Sequence, residues 1–322
     1  REHHRKRRII FNRRASGDLE LAHQNFQAAV DLDPTQADYW LGLAGTTGTL
    51  SFRAEIDWQD GLSLRKKAFE KALTLDPLHA EAHIRLAQLH FQTGNAELTR
   101  AYLDKALELD RENQVVMSIA AGIAYFEQRL DEAVELQRRA VELDPLGFVG
   151  RGNLATYLFT AGRLEEAAVE YLNARELNPD HGVAFDEQLV KIRVLQLQFT
   201  EAEQIVQRMP EGAYRDHGLV LLHLAREQEE RAVALLEKMQ WHDEFDHAME
   251  LADIYAFSGD VDASFHWLHV ATEAIFDTDG TPANQFVLVR LQTSPFLEPL
   301  QDDPRWAEWL AETRKRVAEQ QI

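Results

Sequence analysis

Four alanines, Ala72, Ala106, Ala140 and Ala174, stand 34 residues apart, and they open the phrases ALTLDP, ALELDR, AVELDP and ARELNP. Self-similarity at a fixed period between 20 and 50 residues is the mark of stacked supersecondary units, each too small to bury its apolar face alone. Within each period apolar residues recur at helical spacing, as in Leu86, Leu89 and His90, and alanine fills the tightest positions. Proline then stops the second helix, because it has no N–H to donate and biases the residue before it away from the helical region. Two helices per period are therefore expected, and an all-α chain of stacked helical hairpins.

These residues resemble the tetratricopeptide repeat (TPR) family. Trp40, Leu43, Ala44, Phe69, Ala72 and Pro77 fit one repeat. Leu86, Ala87, Leu103 and Ala106 fit the next, with Arg111 at the usual proline position. Ala120, Ala121, Ala133, Ala140 and Pro145 follow, then Leu154, Ala155, Ala167, Tyr171, Ala174 and Pro179. Leu251, Ala252, Tyr255, Gly259 and Ala271 fit again near the end, while Ala22, Phe26, Ala29 and Pro34 show the second helix of a first repeat. The resemblance implies a right-handed superhelical TPR solenoid of about eight hairpins closed by a C-terminal capping helix.

The expected organisation is a single solenoid over residues 1–322. A first hairpin covers 1–36 and a second, with an insertion, 37–79. Three regular repeats span 80–182, irregular ones 183–244, a last repeat 245–276 and a cap 277–322. The insertion is nine residues, since Pro34 and Pro77 lie 43 apart rather than 34. The cap is anchored by Asp303 before Pro304, by Trp306, Trp309 and Leu310 on one face, and by Arg314, Lys315 and Arg316 in its last turns. The order of parts is similar to the TPR regions of CadC-like winged-helix transcriptional regulators and TPR-bearing adenylate cyclases of bacteria. That resemblance implies a sensory or partner-binding portion of a larger signalling protein. Arg1 in place of Met leads us to expect a segment upstream.

The formal net charge of −20 argues against a nucleic-acid footprint over most of the surface and favours a basic partner. Cysteine is absent, which removes disulfides, thiolate metal sites and cysteine nucleophiles, and leaves the compartment open, with the cytoplasm slightly favoured over the periplasm. No apolar run approaches the roughly 20 residues that a spanning helix needs, so no membrane insertion is expected.

Residues 1–14 carry a run of basic side chains and are read as a solvated first helix with Ile9, Ile10 and Phe11 toward the core, the alternative being a segment that binds acidic lipid, nucleic acid or, in self-association, the acidic face of another subunit. Histidines cluster at His79, His83 and His90 and again at His242, His247, His266 and His269. His83 and His90 occupy positions of large core aromatics, and HExxH spacing is missing, so no metal and no cofactor is expected. Glu165 with Glu166, and Glu227 with Glu229 and Glu230, lie on polar faces rather than converging, and no P-loop, GxGxxG or GxSxG occurs, so no enzyme is expected.

The TPR resemblance implies that first helices line a concave groove through their second, fifth, ninth and twelfth positions. In three repeats these are Glu81, Ile84, Gln88 and Phe91; Val115, Ser118, Gly122 and Tyr125; and Val149, Gly152, Thr156 and Phe159. One of the twelve is charged. The Asn, Lys and Arg with which some TPR proteins grip a C-terminal carboxylate are lacking, so the expected partner is a protein or peptide segment that is apolar, helical or extended. The function expected is a non-catalytic interaction or sensory module. The alternatives are a small-ligand receptor with a pocket between Trp241 and Trp267, and a structural assembly subunit.

Overall fold

A computed structural model describes residues 18–52, 55–237, 245–276 and 294–319. The basic segment 1–14, Trp241, His242 and the first part of the expected cap lie outside the described residues. Those described form sixteen helices and no strand. Internal packing divides the described residues into two compact units, one up to residue 120 and the other from residue 121 onward, with the boundary inside a helix.

In the first unit α1 (Asp18–Leu32) packs on α2 (Ala37–Phe52), which pairs with α3 (Trp58–Leu75), and α4 (Ala80–Gln92) pairs with α5 (Ala96–Leu109). Helix α6 (Gln114–Phe126) crosses the boundary and is followed by α7 (Leu130–Leu143). The second unit continues with the hairpins α8 (Phe148–Thr160) and α9 (Leu164–Leu177), α10 (Gly182–Leu195) and α11 (Phe199–Arg208), α12 (Ala213–Ala225) and α13 (Glu229–Leu236), and α14 (Phe245–Ser258) and α15 (Val261–Phe276). Helix α16 (Pro304–Glu319) closes the order. Short loops with no other secondary structure make each pair antiparallel, as the repeat predicts.

Six turns within hairpins share one device. Gly94, Gln128, Gly162, Leu197, Glu227 and Gly259 all take positive φ, between 58° and 81°. At each, the residue's own N–H bonds to the carbonyl three residues back, and the next N–H bonds five back, as in Gly162 N to Phe159 O and Arg163 N to Leu158 O. These paired bonds satisfy the otherwise orphaned carbonyls of the helix end and reverse the chain.

The joint between hairpins is different and explains the recurring phrase. Asp33, Asp76, Asp110, Asp144 and Asn178 each donate a backbone N–H to the carbonyl of Ala29, Ala72, Ala106, Ala140 or Ala174, four residues earlier. Asp76, Asp110, Asp144 and Asn178 are not helical, with φ between −134° and −156°. The carboxylates of Asp33, Asp76 and Asp110 accept the backbone N–H two residues on, which turns the chain before the next helix. The alanines are all buried, because they mark the close approach of the two helices.

Cores form between hairpins. In the first unit Leu41, Ala44, Ala68, Phe69, Ala72, Ala82, Leu86 and Leu89 make one cluster. The lengthened ends of α2 and α3, 16 and 18 residues, hold the insertion, and Gly61 lets them cross where a Cβ would overlap the Ser51 hydroxyl. In the second unit the largest cluster runs from Ala121 on α6 to Leu222 on α12 and includes Phe296. The cap joins through Leu297, Leu300, Trp306 and Trp309, packed on Met249, Ala252, Phe265 and Leu268. Asp303 accepts the Arg305 N–H at 2.9 Å at the helix start.

First helices begin 34 residues apart at Ala80, Gln114, Phe148 and Gly182, then 31 and 32 apart at Ala213 and Phe245. The shortening lies in the second helices: α11 has 10 residues and α13 has 8, against 14 in α9. Helix α11 ends early because Met209, ahead of Pro210, takes an extended backbone.

Candidate functional site

The helix starts put the twelve expected lining residues at the second, fifth, ninth and twelfth positions of α4, α6 and α8. Their exposure divides them. Gln88, Phe91, Val115, Ser118, Val149, Thr156 and Phe159 are half-buried. Ile84 and Tyr125 are buried, at 0% and 6% exposure, and take their places in the packing rather than at the surface. Tyr125 stacks on Tyr157 with ring centroids 4.5 Å apart, and its hydroxyl lies 3.3 Å from that of Thr160. Burial and the neighbouring phenol push the Tyr157 pKa up. The Thr156 hydroxyl lies 3.0 Å from the Gly152 carbonyl and 3.1 Å from the Tyr171 hydroxyl, so its polar end is engaged and its methyl supplies the apolar surface. Glu81, the charged member, is paired with Arg85 at 3.3 Å.

The histidines of the first unit are structural. His90 is buried and stacked on Tyr102 at 5.6 Å, and His83 bonds the Pro77 carbonyl at 2.9 Å. His266 and His269 are exposed.

A second arrangement, in the other unit, joins the first helices of three successive hairpins. Glu187 and Lys191 come from α10, His217 from α12, and Glu250 and Asp253 from α14, and all five side chains are buried. His217 Nδ1 lies 3.2 Å from Glu187 Oε1. Lys191 Nζ is paired with Glu250 and lies 3.8 Å from Asp253. The Ser294 hydroxyl donates to Asp253 at 2.8 Å. Leu221, Ile254 and Phe296 complete the walls of a small cavity, with room for about one water molecule. Burial pushes the Glu187 carboxyl up and neighbouring Glu250 adds to it, while His217 and Lys191 pull the other way. Buried charges of this kind contribute little net stability as a set, but removing one partner costs about 3–5 kcal/mol. Among the described residues, ligand atoms of Glu187, His217 and Glu250 lie within 4.8 Å of one another, the spacing of a metal-holding group.

Residues 66–121 and 119–181 match two family models, both described as tetratricopeptide repeat. This chain carries tetratricopeptide repeats. Over 125 residues it is 24% identical to Tetratricopeptide repeat protein 21A of Mus musculus, a match that spans 39% of this chain and 9% of that relative. Among solved structures it is similar to PilF of Pseudomonas aeruginosa, at 20% identity and a TM-score of 0.49 over 62% of this chain and 88% of that one. PilW, described as a widely conserved type IV pilus biogenesis factor, shares 16% identity at a TM-score of 0.49 over 68% and 99% of the two chains. Yeast Tom70 shares 18% at 0.47, over 92% and 62%.

With the TPR register fixed, α4, α6 and α8 are first helices of the repeats inside the matched region, and α10, α12 and α14 are first helices beyond it. The matching models describe a repeat rather than a catalytic domain. No helix among the described residues is long and apolar enough to cross a membrane. The polar cluster is what sequence reasoning missed. Its signal was available: Glu187, His217 and Glu250 lie 30 and 33 residues apart, one donor per TPR hairpin.

Proposed function

We propose that this chain is a non-catalytic TPR module that holds an apolar segment of a partner protein against its first helices. The observation that supports this is that each unit keeps apolar side chains half-buried at the lining positions of its first helices: Phe91 and Val115 in the first unit, and Val149 and Phe159 in the second. Gln88 on α4 and Ser118 on α6 add polar groups, and the Thr156 methyl on α8 adds apolar surface. Half-exposed aromatic side chains on a rigid frame are the kind of anchor that carries binding energy at protein interfaces. The net charge of −20 favours a segment whose flanks are basic, since complementary charge speeds encounter. The order of parts described above supports placing the module in a larger bacterial signalling or regulatory protein.

Selection from a displayed library of random peptides tests the reading. The wild-type chain should enrich apolar segments flanked by Lys or Arg. Phe91→Ser and Phe159→Ser, made separately, should each weaken retention about tenfold or more with helicity retained, and Phe159→Ser should also melt lower because Phe159 packs against the core of the second unit. Tyr125 is left out of this test because its buried stack on Tyr157 makes it a packing residue. Peptides held equally by both variants, or no enrichment at all, would refute the proposal.

A further inference from the structure

One position of the repeat departs from its kind in the first unit. Ala22, Thr99, Ala133 and Ala167 hold the same place in their second helices, and each is small and buried. On α3 that place belongs to Arg65, which is only 7% exposed. Its side chain reaches across to α2, where Gly48 makes the room: a Cβ there would lie 3.0 Å from Arg65 Nε. Gly45 and Gly48 are the ninth and twelfth residues of α2, the positions that carry the lining on α4, so α2 presents no side chain at either. The guanidinium stands behind that gap and meets the end of α4, where Nη1 donates to Gln92 Oε1 at 3.3 Å.

Among the described residues no carboxylate pairs with Arg65, its Nε has no hydrogen-bond partner, and the Phe69 ring lies 6.0 Å away, at the limit of a cation–π contact. Burial, and then the like charge of Arg85, hold its pKa down to about 10, so it stays charged at neutral pH. A buried charge without a counter-charge destabilises the fold, whereas an apolar side chain of similar volume does not. We propose that Arg65 receives one carboxylate, an Asp or Glu side chain of the segment held against α2 and α4. The inference rests on the partner reading above and adds an acidic residue to the segment. The fork of a guanidinium matches a planar carboxylate and cancels its single charge. A phosphate dianion would keep a charge unanswered, because Arg85 is already paired with Glu81 at 3.3 Å. This donor comes from a second helix, which is why the lining positions of the first helices do not reveal it.

The test melts the full chain, wild type and Arg65→Met, in sodium acetate as the probe, with sodium chloride and sodium phosphate at equal ionic strength beside it. Met keeps most of the stem and removes the charge, so Arg65→Met should melt higher than wild type in chloride. Acetate should raise the wild-type melting temperature with concentration and leave Arg65→Met where chloride does. In nuclear magnetic resonance spectra the Arg65 Nε–H signal, assigned by its loss in Arg65→Met, should move with acetate and saturate. Peptides selected from a library fused to its carrier through the C-terminus should carry Asp or Glu, and Arg65→Met should hold these about tenfold less well while keeping the apolar preference. An Arg65→Met chain that melts lower or fails to fold makes the guanidinium part of the packing and overturns the site. An unmoved Nε–H signal, an equal acetate response in both chains, or a stronger response to phosphate also overturns it. An empty library beside a saturable acetate shift sinks the partner reading and keeps the carboxylate site; a full library indifferent to Arg65→Met does the reverse.

Discussion

Gly42 and Gly45 sit one turn apart on α2, and replacing each by alanine should have opposite effects. Helix propensity treats them alike: alanine in a helix interior is better than glycine by about 1 kcal/mol. Their surroundings differ. A Cβ on Gly45 meets nothing within 4 Å, so Gly45→Ala should keep the whole propensity gain. A Cβ on Gly42 falls on the ring of Phe26 from α1, overlapping three of its carbons, and Phe26 is only 5% exposed. Forcing a methyl into such a place costs about 1–3 kcal/mol, and moving the ring out forfeits a burial worth about 1.5–3 kcal/mol. The steric cost therefore exceeds the propensity gain, and Gly42→Ala should destabilise the first unit by roughly 1 kcal/mol. Thermal unfolding followed by circular dichroism reads the difference, at about 4–8 °C per kcal/mol for a unit of this size. Combining Gly42→Ala with Phe26→Ala should return part of the loss, a coupling of about 1 kcal/mol or more in a double-mutant cycle. If Gly42→Ala raises the melting temperature as Gly45→Ala does, α1 is not wedged against α2 and the small-residue account of this joint is wrong.

Two further outcomes follow from the turns and the histidines. Leu197 holds φ near 60° and is 76% exposed, so Leu197→Gly should stabilise by about 1 kcal/mol, while Gly162→Ala at φ 73° should cost about the same; urea midpoints of the pair should move in opposite directions. His79 lies 3.0 Å from Asp38, and that hydrogen bond, outweighing burial, raises its pKa. Its protonated form is favoured by folding, so its contribution is complete below the ordinary histidine value of about 6.5 and is lost as pH rises through the folded value. His23 and His90 are pushed down by burial and act in the other direction, so the readout is the difference between wild type and His79→Gln: the stability gap should narrow as pH rises above about 6.5. A gap independent of pH would remove the His79 and Asp38 pair from the account.

The repeat was legible because every joint meets the same physical demand. Ala72, Ala106, Ala140 and Ala174 recur where two helices touch, and the residues four positions later recur because each must donate back and leave the helix. The hairpin turns were less legible. They need a left-handed residue, yet only Gly94, Gly162 and Gly259 advertise it, while Gln128, Leu197 and Glu227 tolerate the same backbone without a sequence mark. Among the lining residues, position alone did not separate Ile84 and Tyr125, which are buried, from Phe91 and Phe159, which are not. That division depends on what the next helix brings, as Tyr157 does for Tyr125.

The charged cluster escaped notice for a related reason, and it bears on where a partner can sit. Once α11 and α13 shorten, the period drops from 34 to 31 and 32, so donors that share one level in space no longer share one spacing in sequence. His217 and Asp253 stand at the fifth and ninth positions of α12 and α14, which in the earlier helices belong to the expected lining. Here those positions are buried and engaged with Glu187, Lys191 and Ser294. Uncovering them for a partner would mean separating buried charges, at a cost of about 3–5 kcal/mol for each pair broken. The same first-helix positions thus differ along the chain: apolar side chains on α4, α6 and α8 are half-buried, and the charged ones on α10, α12 and α14 are buried and engaged. On the proposed function, a partner segment therefore lies on the regular repeats, where no buried charge has to be uncovered to receive it.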